Sequence, residues 1–204
     1  MNQDLTKRNA EELGQLLSQM EHHKIEEIAR LIRTRIYNPA TRIKSGKKLL
    51  VCGNGGSAAQ AEHLMAELVG RYKDDRIPFP CLSLAGCAAT QTCISNDYGQ
   101  EFMFSRSLEA LGEDGDILIA LTTSGYSENV LRTVKKAKEL GITTIALLGK
   151  KRDPRTPDQE ALHGLADYEI EIPSLSTART QEVHLFIIHA ICDYLEKWAL
   201  ENSN

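Results

Sequence analysis

Two short runs of small polar residues, GNGGS at 53–57 and TTSGYS at 122–127, concentrate the chemistry of this 204-residue chain. In the first, Gly53, Asn54, Gly55 and Gly56 lead through Ser57 into a helix-forming segment. The glycines open backbone conformations that side chains close off. A helix start offers unpaired N–H groups and the positive end of the macrodipole, so its natural ligand is an anion. In the second run, Thr122, Thr123, Ser124 and Ser127 set four hydroxyls around another helix start. Backbone N–H groups and hydroxyls without a lysine suit a sugar phosphate monoester. Neither run has the GxGxxG or GxxxxGKS/T spacing of nucleotide loops. Ser and Thr also favour helix N-caps for structural reasons alone, so either run taken singly fits an ordinary capped helix.

His63 and Glu67 lie four residues apart on the segment after GNGGS and face the same way. An imidazole and a carboxylate at this spacing can share a metal ion. Near the C-terminus stand Gln181, Glu182, His184 and His189. Gln181 and His189 are about two turns apart and share a face, whereas Glu182 and His184 point elsewhere. For either pair alone a packed or solvated histidine is the favoured explanation, and spacing does not show that the two helices meet.

These residues need elements to hold them. Leu13, Leu16, Leu17, Met20, Ile25, Ile28, Ala29 and Ile32 recur at three- and four-residue steps, which predicts helix from about Asp4 to Tyr37, stopped at Asn38-Pro39. Buried strands are expected at Lys48–Cys52, Cys81–Leu84, Asp116–Leu121, Thr143–Leu148 and Tyr168–Ile172. Helices are expected at Ser57–Gly70, Glu101–Leu111, Val130–Leu140 and Thr180–Leu200, with helix or loop over the stretch ending near Gly99. The polar stretch at 149–165 reads as a flexible surface insertion. Strands alternating with helices give an α/β class: a doubly wound, mostly parallel sheet flanked by helices, with an N-terminal helical arm. Residues 1–37 are the arm, its stripe expected against a neighbouring subunit, and 38–204 the α/β domain. Both polar runs follow strand ends and share the rim where such sheets bind ligands.

Composition bounds the function. Hydrophobic residues are 42% and charged residues 25%, with a net charge of −4, so a nucleic-acid partner is not expected. No run of about 18 apolar residues occurs and the N-terminus lacks a signal-peptide core, so neither membrane insertion nor export is expected. The five cysteines, with no CxxC pair, read as buried thiols of a reducing cytoplasm.

Taken together, GNGGSAAQAEHLMAELVGRY, ISNDYGQEFMFSR, TTSGYSENV and TARTQEVHLFIIH resemble, in order, the signature segments of the phosphoheptose isomerases, within the wider SIS (sugar isomerase) fold. The resemblance implies interconversion of D-sedoheptulose 7-phosphate and D-glycero-D-manno-heptose 7-phosphate through an enediol, for heptose and lipopolysaccharide core biosynthesis. It implies one Zn2+ per subunit on His63, Glu67, Gln181 and His189. It implies substrate contacts from Asn54, Gly55, Gly56, Ser57, Glu67, Asn96, Asp97, Thr122, Thr123, Ser124, Ser127 and Gln181. Glu67 is then the base and His189 the acid. A cytoplasmic homotetramer with sites built between subunits is implied as well. Two features depart from the family pattern: Ala178 stands where some members carry an acid, and the loop from Lys150 to Leu162 is longer than expected. The competing readings are a noncatalytic SIS protein that binds a replication initiator, a sugar-phosphate-sensing regulator and an isomerase of another sugar phosphate. Presence of all four metal donors favours the isomerase.

Overall fold

Five short strands, β1 (Leu49–Gly53), β2 (Cys81–Ser83), β3 (Ile117–Thr122), β4 (Thr143–Gly149) and β5 (Tyr168–Ile172), pair in the order β2-β1-β3-β4-β5, every pair parallel. The computed structural model describes residues 4–37, 44–154, 156 and 159–202. β1 and β3 are buried at every position, as expected of strands covered on both faces. Their side chains divide by alternation. Leu49, Val51, Ile117, Ile119, Leu121, Ile145 and Leu147 enter one core, and Leu50, Cys52, Leu118, Ala120, Ala146 and Leu148 enter the other.

The helices are α1 (Asp4–Ser18), α2 (His22–Ile36), α3 (Gly56–Val69), α4 (Ala88–Tyr98), α5 (Met103–Leu111), α6 (Glu128–Glu139) and α7 (Thr177–Glu201). Buried residues of α2, α3 and α7 cover the first face of the sheet, and those of α5 and α6 the second. The result is a three-layer α/β/α sandwich. The chain runs from β1 outward to β2 and then returns to place β3 on the other flank of β1. The winding reverses there, and the crevice between the carboxyl ends of β1 and β3 is where such sheets take ligands. Gly53 pairs with Leu121, so the two polar runs leave the sheet side by side.

All five strands form within a residue or two of their expected positions. The single helical stretch at 4–37 is two helices, interrupted at 19–21. Its expected stop at Asn38-Pro39 lies outside the described residues. The stripe of Ile25, Ile28, Ala29 and Ile32, expected against a neighbouring subunit, is buried within this chain in the core it shares with α7. Glu101, expected to start a helix, lies instead in a 3-10 turn, Gln100–Phe102, that precedes α5. α7 starts three residues early, where the Ser176 hydroxyl accepts a bond from the Arg179 N–H. Cys52, Cys81 and Cys192 are buried as expected, but Cys87 and Cys93 are exposed on and beside α4; all five are free thiols.

Candidate active site at the carboxyl rim of the sheet

The β1–α3 and β3–α6 loops meet through a reciprocal amide pair. The Asn54 Nδ2 donates to Asn129 Oδ1 at 2.8 Å, and Asn129 Nδ2 donates to Asn54 Oδ1 at 2.8 Å. Gly55 caps α3 with φ +54, a left-handed conformation that a side chain strains. The Gln181 amide lies directly on the neighbouring Gly56, and a β-carbon there would push it aside. In the second loop the hydroxyls divide their work. Thr122 is buried and its Oγ1 accepts from the Gly125 N–H at 3.2 Å, while Ser124 Oγ accepts from the Tyr126 N–H at 3.2 Å. Ser127 occupies the N-cap of α6 without making a side-chain cap bond. With Asn54 and Asn129 it faces an open cleft of about 500 Å³, lined further by Gln100, Glu101, Glu128 and Arg132. Arg132 is the cation of this lining and donates from Nε to Glu128 Oε1 at 2.6 Å. Two helix N-termini and an N-cap hydroxyl are chemistry suited to a small anion, while among the lining side chains the Arg132 guanidinium is matched by the Glu101 and Glu128 carboxylates.

α3 leads away from this cleft toward the second group of expected residues. His63 Nε2 meets His189 Nε2 of α7 at 2.9 Å, and Glu67 Oε1 lies 3.6 Å from His63 Nε2. The His189 ring also lies against Tyr72, with centroids 5.7 Å apart. α3 and α7 run side by side in the same direction: the Gln60 amide donates to the Gln181 carbonyl at 2.6 Å, and His63 meets His189 farther along. The four expected metal donors therefore divide by level in this chain. His63, Glu67 and His189 converge, whereas Gln181 sits at the level of Gly56, about two turns away.

Among the described residues no three His, Cys, Asp or Glu side chains stand ready-set around a metal position. The donor chemistry of His63, Glu67 and His189 nevertheless fits zinc. Ligands about 2.0–2.1 Å from a tetrahedral zinc sit roughly 3.3 Å from one another. The two facing nitrogens would have to part by only a few tenths of an ångström. Arg76 steadies this end of α3: Nη1 donates to the Leu68 carbonyl at 2.7 Å and Nη2 to the Glu67 carbonyl at 2.5 Å.

Two other expected residues make no bond to these groups. Asn96 and Asp97 are exposed on α4 and bonded to each other, Asn96 Nδ2 to Asp97 Oδ1, at 2.8 Å. No hydrogen bond among the described residues joins them to either loop. His184 and Glu182 point away, as the spacing predicted: Glu182 is paired with Arg179 at the surface and His184 is fully buried. Asn129, Arg132 and Gln60 are site residues that pattern reading missed. Asn129 and Arg132 follow the serine run at two- and five-residue steps, a signal visible only once α6 is known to begin at Glu128.

The SIS domain family model matches residues 9–149. The chain is 42% identical over 183 residues to a phosphoheptose isomerase of a Nitratiruptor species, covering 87% of this chain and 94% of the relative. It is 45% identical over 158 residues to one from Campylobacter concisus, covering 78% and 80%. Among solved structures, a phosphoheptose isomerase from Francisella tularensis superposes with a TM-score of 0.81 at 32% identity, covering 94% of each chain. One from Neisseria gonorrhoeae gives 0.74 at 34% identity, covering 93% of this chain and 92% of the other.

Proposed function

The chain belongs to the phosphoheptose isomerase family of SIS-domain proteins, and we propose that it interconverts D-sedoheptulose 7-phosphate and D-glycero-D-manno-heptose 7-phosphate. The carrying observation is the path of α3. It starts at the anion cleft and, seven residues after Gly56, presents His63 and then Glu67 beside His189. That is about 10 Å of helix rise. An open-chain seven-carbon phosphate can keep its phosphate at the helix start and its carbonyl end at the histidines.

The reaction moves a carbon-bound proton of the ketose from C1 to C2. A base takes the C1 proton, a C1–C2 double bond forms, and the C2 oxygen gains a proton, giving a cis-enediol. Protonation at C2 and loss of the O1 proton then leave the aldehyde. Glu67 is the base in this reading: it is half-buried and stands off from His63 rather than bonding it closely. His189 moves the oxygen-bound protons between O1 and O2. Ser127, Asn54 and Arg132 hold the phosphate, so binding energy far from the reacting carbons serves to orient them. Zinc, held by His63, Glu67 and His189, would polarise the carbonyl as a Lewis acid. In this reading Gln181, whose amide lies on Gly56, supports the phosphate loop.

We place the active form as a cytoplasmic homotetramer. In support, Asn96 and Asp97 are exposed and bonded to each other, with no hydrogen bond among the described residues to either loop of their own chain, which leaves them open to a site shared with a neighbouring copy. No helix among the described residues is long and apolar enough to cross a membrane. The test is NMR of sedoheptulose 7-phosphate incubated with the protein. Conversion to the aldose is expected, and Glu67→Gln should lower kcat by about 100-fold or more. Near-normal turnover in Glu67→Gln would remove its role as base. No conversion by the parent protein would overturn the reading.

A further inference from the structure

The stretch at 149–165, expected to be a flexible insertion, is tied back to the domain at several points. Lys150 N–H donates to the Ser174 carbonyl at 3.1 Å, Leu162 N–H donates to the Gly125 carbonyl at 2.8 Å, and the Tyr126 hydroxyl donates to the Arg152 carbonyl at 2.5 Å. Lys135 of α6 pairs with Glu160 at 2.5 Å. The centre of this arrangement is His163. Its side chain is 7% exposed, and Nε2 lies 3.0 Å from the Gly149 carbonyl at the end of β4 and 3.4 Å from Glu171 Oε2. The adjacent Nδ1–Cε1 edge of the ring rests on Gly125, so closely that a β-carbon there would lie well inside van der Waals contact of both Cε1 and Nδ1.

Gly125 is the hinge of the serine loop. Its φ is +73, its N–H is taken by Thr122 Oγ1, its carbonyl by Leu162, and its α-carbon is capped by the imidazole. Ser124 and Ser127 stand on either side of it. The ring is anchored through one nitrogen alone: Nε2 meets the Gly149 carbonyl, while Nδ1 is buried with no hydrogen-bond partner among the described residues. A buried unpaired ring nitrogen is costly, and such a cost is retained where the position of the group matters.

We infer that His163 is a positioning residue for phosphate binding: anchored on the Gly149 carbonyl, its ring wedges against Gly125 and holds Ser124 and Ser127 in one arc. The inference rests on the proposed phosphate-binding role of that loop. It assigns a task to the long 150s loop, which the proposed chemistry does not use. The wedge touches none of His63, Glu67 and His189, so its loss should weaken binding more than turnover.

The test compares His163→Ala, His163→Gln and His163→Leu, reading the inhibition constant of inorganic phosphate, KM for sedoheptulose 7-phosphate, kcat and melting temperature. The Gln amide can donate to the Gly149 carbonyl in place of Nε2, whereas Leu only fills space. Both KM and the phosphate constant should rise about tenfold in His163→Ala, with kcat within about threefold of the parent. His163→Gln should recover both to within about threefold, and His163→Leu should not. The inference is overturned if His163→Ala leaves the phosphate constant unchanged, if Leu rescues as well as Gln, or if Gln is as impaired as Ala. Should Ala fail to fold, the contrast between Gln and Leu decides alone. Calorimetric binding of inorganic phosphate by the same variants reports without turnover. A parent protein that binds phosphate but converts no heptose phosphate would sink the isomerase reading and leave this one standing.

Discussion

His63 and His189 come from segments more than a hundred residues apart, yet their Nε2 atoms meet at 2.9 Å. Two neutral imidazoles can share that contact only if one donates and the other accepts, whereas a cation between them would use both lone pairs. His189→Ala should therefore lose both bound zinc, measured by atomic emission on purified protein, and turnover. Full metal content in that variant would show that His189 is not a ligand. Asp116 makes a different kind of single-residue demand. It is fully buried at the start of β3, with Oδ1 accepting from the Lys48 N–H at 2.9 Å, Oδ2 from the Glu113 N–H at 2.9 Å, and Lys48 Nζ 2.8 Å from Oδ2. Removing one partner leaves donors and a cation uncompensated at the base of β1 and β3. Asp116→Ala should cost about 3 kcal/mol in urea unfolding, and a loss below about 1 kcal/mol would mean that water replaces the carboxylate.

Among elements, α7 carries most of the burden. One face supplies Val183, Ile187, Ile188, Ile191 and Leu195 to the core, and its half-buried edge supplies His189. His184 lies among the buried set, and neither ring nitrogen makes a hydrogen bond of normal geometry. Burial pushes this imidazole from the ordinary 6.5 down to about 4, with the Leu148 backbone pulling weakly the other way. Above pH 6.5 the ring is neutral folded and unfolded, and it adds no pH dependence. Between pH 6.5 and 4 the unfolded chain takes up a proton that the folded chain refuses, so stability falls with pH, by at most roughly 3 kcal/mol. Unfolding curves at pH 7.5, 5.5 and 4.5 should show this decline, and His184→Leu should flatten it. An equal decline in the variant would assign the effect to other groups. The helix was legible from its apolar repeat and from Gln181 and His189 sharing a face. That His184 would be buried without partners was not, because a histidine four or five residues from its neighbours reads the same whether it faces solvent, metal or core.

For the whole molecule, the winding of the sheet decides what the local motifs mean. Light scattering on the purified protein should give the mass of a tetramer, and a clean monomer at micromolar concentration would count against a site that needs Asn96 and Asp97 from a neighbour. The amino-acid order determined the strands, because fully covered parallel strands are continuous apolar runs. It also determined that two glycine- and hydroxyl-bearing loops each lead into a helix at a strand end, though not whether they bind an anion or only cap, and it determined the family. Tertiary structure alone decided the rest. Only strand order puts the ends of β1 and β3 together, since hydrogen-bond pairing has no counterpart in residue spacing. Only the parallel packing of α3 on α7 sets His63 against His189 and lays Gln181 on Gly56 instead. And only the fold turns a polar, loop-like stretch into a clamp on Gly125, because the carbonyls and hydroxyl it engages belong to elements that sequence separates and the sheet brings to one rim.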